Sequence, residues 1–197
     1  MGAKAKEAIE RSALLVIDVQ ESFRVDEGRW ARRSNPAFEA NLARLVDAYR
    51  AAELPVIWVL HVDEDAAFRA ESGHVRVQAW LQPREGEAVL RKTTRNSFTS
   101  TRLAELLEER GVRRLAITGI QTEQCCETTA RLAGDLGYDV DFVTEATATF
   151  PITEAATGEV QGVEAITRAT EFALRGRFAR IATVEGLVGE LEPALAG

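Results

Sequence analysis

The segment ALLVI at 13–17 is apolar at every position, and the same pattern reads through PVIWVL at 55–60, RRLAIT at 113–118 and YDVDFV at 138–143. A strand with one wet face would alternate, so runs of this kind predict strands buried on both faces. AVLRK at 88–92 and ARIATV at 179–184 carry a fainter strand signal, which brings the expected total to about six. Between the runs the apolar residues take helical spacing. Phe38, Leu42, Leu45, Val46 and Tyr49 precede Pro55, and Leu103, Leu106 and Leu107 precede Gly111.

Strand and helix therefore alternate. That order predicts right-handed crossovers into an α/β fold, a mostly parallel sheet of about six strands with helices on both faces. No repeat, low-complexity stretch or linker interrupts it, and 197 residues suit a single domain over 1–197. Residues 62–87 carry the least pattern, and an irregular segment of that length in a compact domain often serves function.

Composition narrows the partners. The 31 acidic and 24 basic residues give a net charge of -7, with no dense basic block to grip phosphates. Nucleic acid is not an expected partner. The N-terminal MGAKAKEAIERS lacks the apolar core of a signal peptide, and no apolar run reaches membrane-spanning length. A cytoplasmic protein without a membrane partner is the expectation. The only cysteines, Cys125 and Cys126, are adjacent. Neighbouring cysteines make a poor disulfide, and no CxxC, Cys/His cluster or HExxH motif is present, so neither a disulfide framework nor a structural zinc site is expected.

Ligands of open α/β sheets bind outside the carboxyl ends of the strands, so polar residues that close an apolar run are candidates for chemistry. Asp18 closes the first strand, Lys92 the short strand after the long loop, and Cys125 follows the 113–118 strand through the turn TGIQTEQ. A helix expected from Glu123 to Gly134 would start beside Cys125. Free N–H groups there and a nearby Lys92 ammonium would favour a thiolate. Asp18 could exchange a proton with the thiol or with a leaving amine. Taken singly, a strand-terminal Asp reads equally as a turn residue, a lone Lys as a solvated one and a lone Cys as a small buried hydrophobe.

Their surroundings go further. ALLVIDVQESF at 13–23, KTTRNSFTST at 92–101 and ITGIQTEQCCETTARLAGDLGYDVDFVTEA at 117–146 resemble, in order, the three motifs of the isochorismatase-like cysteine hydrolases. With the intervening elements the resemblance covers about residues 12–185. It implies the Rossmann-like isochorismatase hydrolase fold, with Asp18 as general acid/base, Lys92 as triad lysine and Cys125 as nucleophile. It also implies a cis peptide bond between Ile120 and Gln121, supported by Gly119 and Thr122, and an oxyanion hole formed by the backbone N–H groups of Gln121 and Cys125. Thr122 reads as well as a helix N-cap. Cys126 falls where the family has a small apolar residue, and the next helical position points about 100° away, so it is expected in the core.

The nicotinamidases of this superfamily hold a metal with an Asp and two His after the second strand. Here the region reads HVDEDAAFRAESGH, and His61 and His74 are the only histidines. The spacing differs, so neither a metal nor another cofactor is expected. His61 is placed at the pocket mouth or at a strand end, and His74 in a loop. Ser100 stands where many relatives have Gly, and Glu145 where many have Asp.

The thiol favours acyl transfer over the vinyl-ether hydrolysis of true isochorismatases, which usually lack that cysteine. The expected activity is cleavage of a small-molecule amide, ureido or carbamoyl C–N bond through a thioester. A vinyl-ether hydrolase and a catalytically idle binding relative are the alternatives. Phe23, His61, Phe98 and Phe150 are the expected pocket walls, with Trp58 assigned to the core. Arg69 and Arg95 are the candidates for gripping an acid group. The resemblance implies a homo-oligomer, for which the apolar residues of EFALRGRFARIATVEGLV at 171–188 could serve as readily as for the core.

Overall fold

The computed structural model describes residues 8–195; residues 1–7, the start of the N-terminal stretch considered above, lie outside them. The strands are β1 (Ser12–Ile17), β2 (Val56–His61), β3 (Ala88–Lys92), β4 (Arg114–Ile120), β5 (Asp139–Ala148), β6 (Ile152–Thr153), β7 (Val160–Gln161) and β8 (Arg180–Ile181). The helices are α1 (Glu27–Ala31), α2 (Phe38–Ala51), α3 (Leu103–Glu109), α4 (Glu127–Asp135), α5 (Val163–Leu174) and α6 (Val184–Leu195). Six strands form one parallel sheet in the order β3-β2-β1-β4-β5-β8.

Burial on both faces explains the unbroken apolar runs. Along β1, Leu14 and Val16 enter a core with Phe38, Leu42, Leu45 and Tyr49 of α2 and Leu187 and Leu191 of α6. Ala13, Leu15 and Ile17 point the other way, into a second core with Leu103, Leu106 and Leu107 of α3 and Ala130 and Ala133 of α4. Burying each Leu, Ile or Val in this way contributes roughly 1.5–3 kcal/mol, so the alternation of β1 anchors both helical layers.

Edge strands behave differently. In β3 the side chains alternate between partly buried and exposed, Val89 being exposed, before Lys92 ends the strand fully buried. β8 contributes two residues, paired with Asp141 and Phe142 of β5. Its run was expected to extend over 179–184. β6 and β7 form a small separate antiparallel hairpin.

The strand order reverses direction at β1, which has β2 on one side and β4 on the other. Such a switch point leaves a crevice at the carboxyl ends. Gly119 lets the two strands meet there. It has φ 122°, and a Cβ at this position would lie 1.9 Å from the Ile17 carbonyl oxygen.

Candidate active site

Asp18 leaves β1 with φ 54°, turning the chain out of the sheet after its N–H has donated to Val59 O of β2 at 2.7 Å. Gln20, two residues on, is fully buried and acts as a substitute strand. Its Oε1 accepts from His61 N at 2.7 Å and its Nε2 donates to His61 O at 3.0 Å. This is the physical content of the Asp-x-Gln motif: one residue supplies the carboxylate and the next but one fastens the end of β2. His61 pairs in register with Lys92 of β3, so the same fastening locates both side chains.

After β4 the Ile120–Gln121 peptide is cis, as the resemblance implied. The chain then forms a wide π-helical turn, Thr122–Cys126, before α4. Gln121 O accepts from the N–H groups of Gln124 and Cys126, each at 3.2 Å. Thr122 does not cap the helix with its side chain. Its hydroxyl instead donates to Thr147 Oγ1 at 2.9 Å and ties the turn to β5.

These elements bring Asp18, Lys92 and Cys125 together. Lys92 Nζ donates to Asp18 Oδ2 at 2.8 Å, to Thr94 O at 3.2 Å and to Cys125 Sγ at 3.3 Å, and lies 3.3 Å from His61 Nδ1. An ammonium has three protons for these four neighbours, so His61 and the thiol compete for one of them. Asp18 and Lys92 are fully buried and Cys125 is 5% exposed. Asp18 Oδ1 is buried with no well-aligned hydrogen-bond partner.

Electrostatics correct one expectation. Burial, reinforced by the Asp18 charge, pushes the Cys125 thiol up to about 12, although Lys92 pulls the other way. A resting thiolate was expected, but the desolvation of the turn outweighs the cation. Burial also raises the Asp18 carboxyl against the opposing pull of Lys92. The site is thus a neutral thiol beside a carboxyl made more basic. His61 is held below its ordinary value by burial and by the Lys92 charge.

A cleft of about 170 Å³ opens over Asp18 and Cys125, lined also by Phe23, His61, Phe68 and Gln124, with Arg29, Asp63, Asp65, Arg95 and Gln121 beside them. Phe23 and His61, both expected as pocket walls, line this cleft. Phe150 is one layer back, stacked on Phe23 with centroids 5.9 Å apart. Phe98 is not brought to the cleft: it packs in the opposite core against Tyr138, because the 93–100 turn directs it under α4. Arg95 reaches the cleft, with Nη1 2.8 Å from His61 Nε2, whereas Arg69 is exposed and donates to Glu64 O at 2.9 Å. Trp58 and Cys126 are core residues, and His74 is an exposed loop residue.

The substituted motif positions are structural. Ser100 Oγ accepts from Thr93 N at 3.0 Å and orders the turn that carries Thr94 O to Lys92. Glu145 Oε2 accepts from Val184 N at 2.7 Å and holds the start of α6. Arg29, Asp63, Asp65, Phe68 and Gln124 were not anticipated. Gln124 had a usable signal, lying one residue before the nucleophile candidate, and Asp63, Asp65 and Phe68 fall in the unpatterned 62–87 segment.

The six-stranded parallel sheet with flanking helices is the architecture of the isochorismatase-like structures. The chain belongs to the isochorismatase family, whose domain matches residues 12–193. It is 29% identical to the isochorismatase family protein YrdC of Bacillus subtilis over 92% of this chain and 96% of that one. It is 28% identical to the ureidoacrylate amidohydrolase RutB of Variovorax paradoxus, over 94% of this chain and 83% of that one. Among solved structures, a hydrolase of the family from Chromobacterium violaceum superposes with a TM-score of 0.86 at 27% identity, covering 93% of this chain and 95% of the other. Among the described residues, no group of three or more His, Cys, Asp or Glu is placed to hold a metal ion, and no helix is long and apolar enough to cross a membrane.

Proposed function

We propose that this family member hydrolyses a small amide, ureido or carbamoyl C–N bond, with Cys125 as nucleophile, Asp18 as proton carrier and Lys92 as the cation between them. The observation that carries this reading is the placement of Lys92 Nζ 2.8 Å from Asp18 Oδ2 and 3.3 Å from Cys125 Sγ in a cleft that reaches the thiol. The kinship with an amidohydrolase supports it.

Because the resting thiol is neutral, its proton passes to the Asp18 carboxylate as Sγ bonds to the substrate carbonyl carbon. Lys92 offsets the charge during that transfer. The backbone N–H groups of Gln121 and Cys125 receive the oxyanion. The C–N bond then breaks and the departing nitrogen takes the proton from Asp18, leaving a thioester. Water adds to the thioester carbonyl and gives a proton to Asp18. The sulfur departs and recovers that proton, which restores the starting state and releases the acid. The cleft is smaller than the roughly 300–1,000 Å³ of drug-sized sites, which favours a substrate of few atoms.

An ammonia-release screen over small amides, ureides and carbamates tests the reading, with mass spectrometry of quenched enzyme to capture the acyl adduct. Turnover that disappears in Cys125→Ala, with an adduct on Cys125 in the wild type, is the expected result. Turnover of a vinyl ether that survives Cys125→Ala would overturn it in favour of isochorismatase-type chemistry, in which only the Asp18 proton is needed.

A further inference from the structure

Among the described residues, the cleft has one cation that the triad chemistry does not use and that no acid neutralises. Lys92 is bound to Asp18, and Arg95 Nη1 lies 3.8 Å from Asp63 Oδ2. Arg29 lies within 4 Å of no carboxylate among the described residues, in a chain whose 31 acids outnumber its 24 bases. Nor is Arg29 a loose surface side chain. It is half-buried, its Nη2 donates to Gln121 Oε1 at 2.9 Å, and its guanidinium lies over the Phe150 ring at 4.4 Å. Phe150 is itself held by Phe23, so the cation rests on an aromatic stack.

One of the five guanidinium N–H donors is thus spent on the protein, and the fork is fixed in orientation before any ligand arrives. The nearby acids have other duties. Asp26 Oδ1 accepts from Arg29 N as the cap of α1, and Asp65 Oδ1 accepts from Ala67 N at 3.1 Å. Arg29 also lines a second cavity of about 450 Å³, which shares Phe23, Arg29, Asp65 and Phe68 with the triad cleft. It therefore stands at the partition between the thiol and the space beyond.

The geometry points to Arg29 as the anchor for a carboxylate carried by the substrate, so that the scissile bond belongs to an amide or ureido acid and not to a neutral amide. This rests on the hydrolase reading given above and narrows its substrate class. A planar two-oxygen anion suits the fixed fork, while the carbonyl to be attacked lies toward Cys125.

Protection of Cys125 from iodoacetamide tests the anchor without requiring turnover. Succinate and glutarate, compared with their neutral dimethyl esters at constant ionic strength, are the probes. Both diacids should slow alkylation of the wild type and the diesters should not. Arg29→Met should need about tenfold or more of the diacid for equal protection, the scale of one lost charge-assisted contact. Arg29→Lys should recover part of it, and Arg69→Met, a change outside the cleft, none of the loss. Equal protection of wild type and Arg29→Met, or equal protection by diacid and diester, overturns the proposal. So does a screen in which the free acid and methyl ester of N-carbamoylglycine and of succinamic acid are cleaved alike. If Arg29-dependent protection is found while no amide is turned over, the carboxylate anchor stands and the hydrolase reading fails.

Discussion

Gln20 closes both backbone hydrogen bonds of His61, accepting from its N–H at 2.7 Å and donating to its carbonyl at 3.0 Å. Backbone groups this deep cost about 1–3 kcal/mol each when left unpaired. Gln20→Met should therefore lower stability by about 3 kcal/mol in urea unfolding and reduce turnover, because the end of β2 sets the register of Lys92. Gln20→Glu keeps the acceptor and loses the donor, so it should fall between wild type and Met. A wild-type unfolding midpoint in Gln20→Met would show that the pairing does not position the site.

The unpatterned segment 62–87 is fastened at its far end by Glu87. Its carboxylate takes the Arg50 guanidinium at 2.7 and 2.9 Å, Trp58 Nε1 at 2.8 Å and Arg84 N at 2.8 Å. Burial alone would raise Glu87, but Arg50, the Arg84 N–H and Trp58 hold it below the ordinary 4.5. A carboxyl depressed in the folded state stabilises above its unfolded pKa, and the contribution is lost as pH falls through the folded value. Glu87→Gln should cost about 2 kcal/mol at pH 7, with the gap to wild type closing as the pH drops below 4.5. A gap that stays constant from pH 7 to acid would refute the ionic account.

Cys125 and Cys126 are adjacent in sequence but face different surroundings. Cys125 lines the cleft, whereas Cys126 is 0% exposed in the core below α4. Cys125→Ala should abolish turnover in a folded protein. Cys126→Ala should retain activity and lose about 1 kcal/mol, since it removes a buried sulfur and leaves a small void. Thermal melts and turnover of the two variants separate these outcomes, and equal inactivation in two soluble variants would contradict the assignment.

What could be read from the chain follows from burial. β1, β2 and β4 were legible because both of their faces are covered, whereas the two-residue β8 left only the faint 179–184 signal and the exposed β6–β7 hairpin left none. Asp18, Lys92 and Cys125 were singled out through their local motifs, because the sequence does not reveal that the ends of β1 and β3 and the turn after β4 meet in space. Arg29 was missed because the five-residue α1 is too short to show a period. Phe98 was misplaced because proximity to a motif does not reveal which face of the sheet a ring enters. The protonation state of Cys125 was misjudged for a related reason: a sequence reveals a neighbouring Lys but not the depth of burial.

Asp18 and Lys92 act on the thiol in opposite directions. Burial is the largest influence raising Cys125 to about 12; the Asp18 charge adds to it and Lys92 subtracts from it. In the wild type, alkylation by iodoacetamide should climb about tenfold per pH unit across pH 7–10, because the thiolate is a minor species throughout. Lys92→Met removes the favourable charge beside the sulfur, so its alkylation should be slower at every pH and its turnover lower. Asp18→Asn removes the repulsion and leaves the ammonium beside the sulfur, so alkylation should be faster and begin to level off at lower pH. Hydrolysis by Asp18→Asn should nevertheless be lost, since no carboxylate remains to carry the proton to the leaving nitrogen. Easier thiolate formation accompanied by lost turnover is the signature of a proton carrier. If Asp18→Asn alkylates at the wild-type rate, or if Lys92→Met alkylates faster, the three residues do not form one electrostatic unit and the proton path through Asp18 must be abandoned.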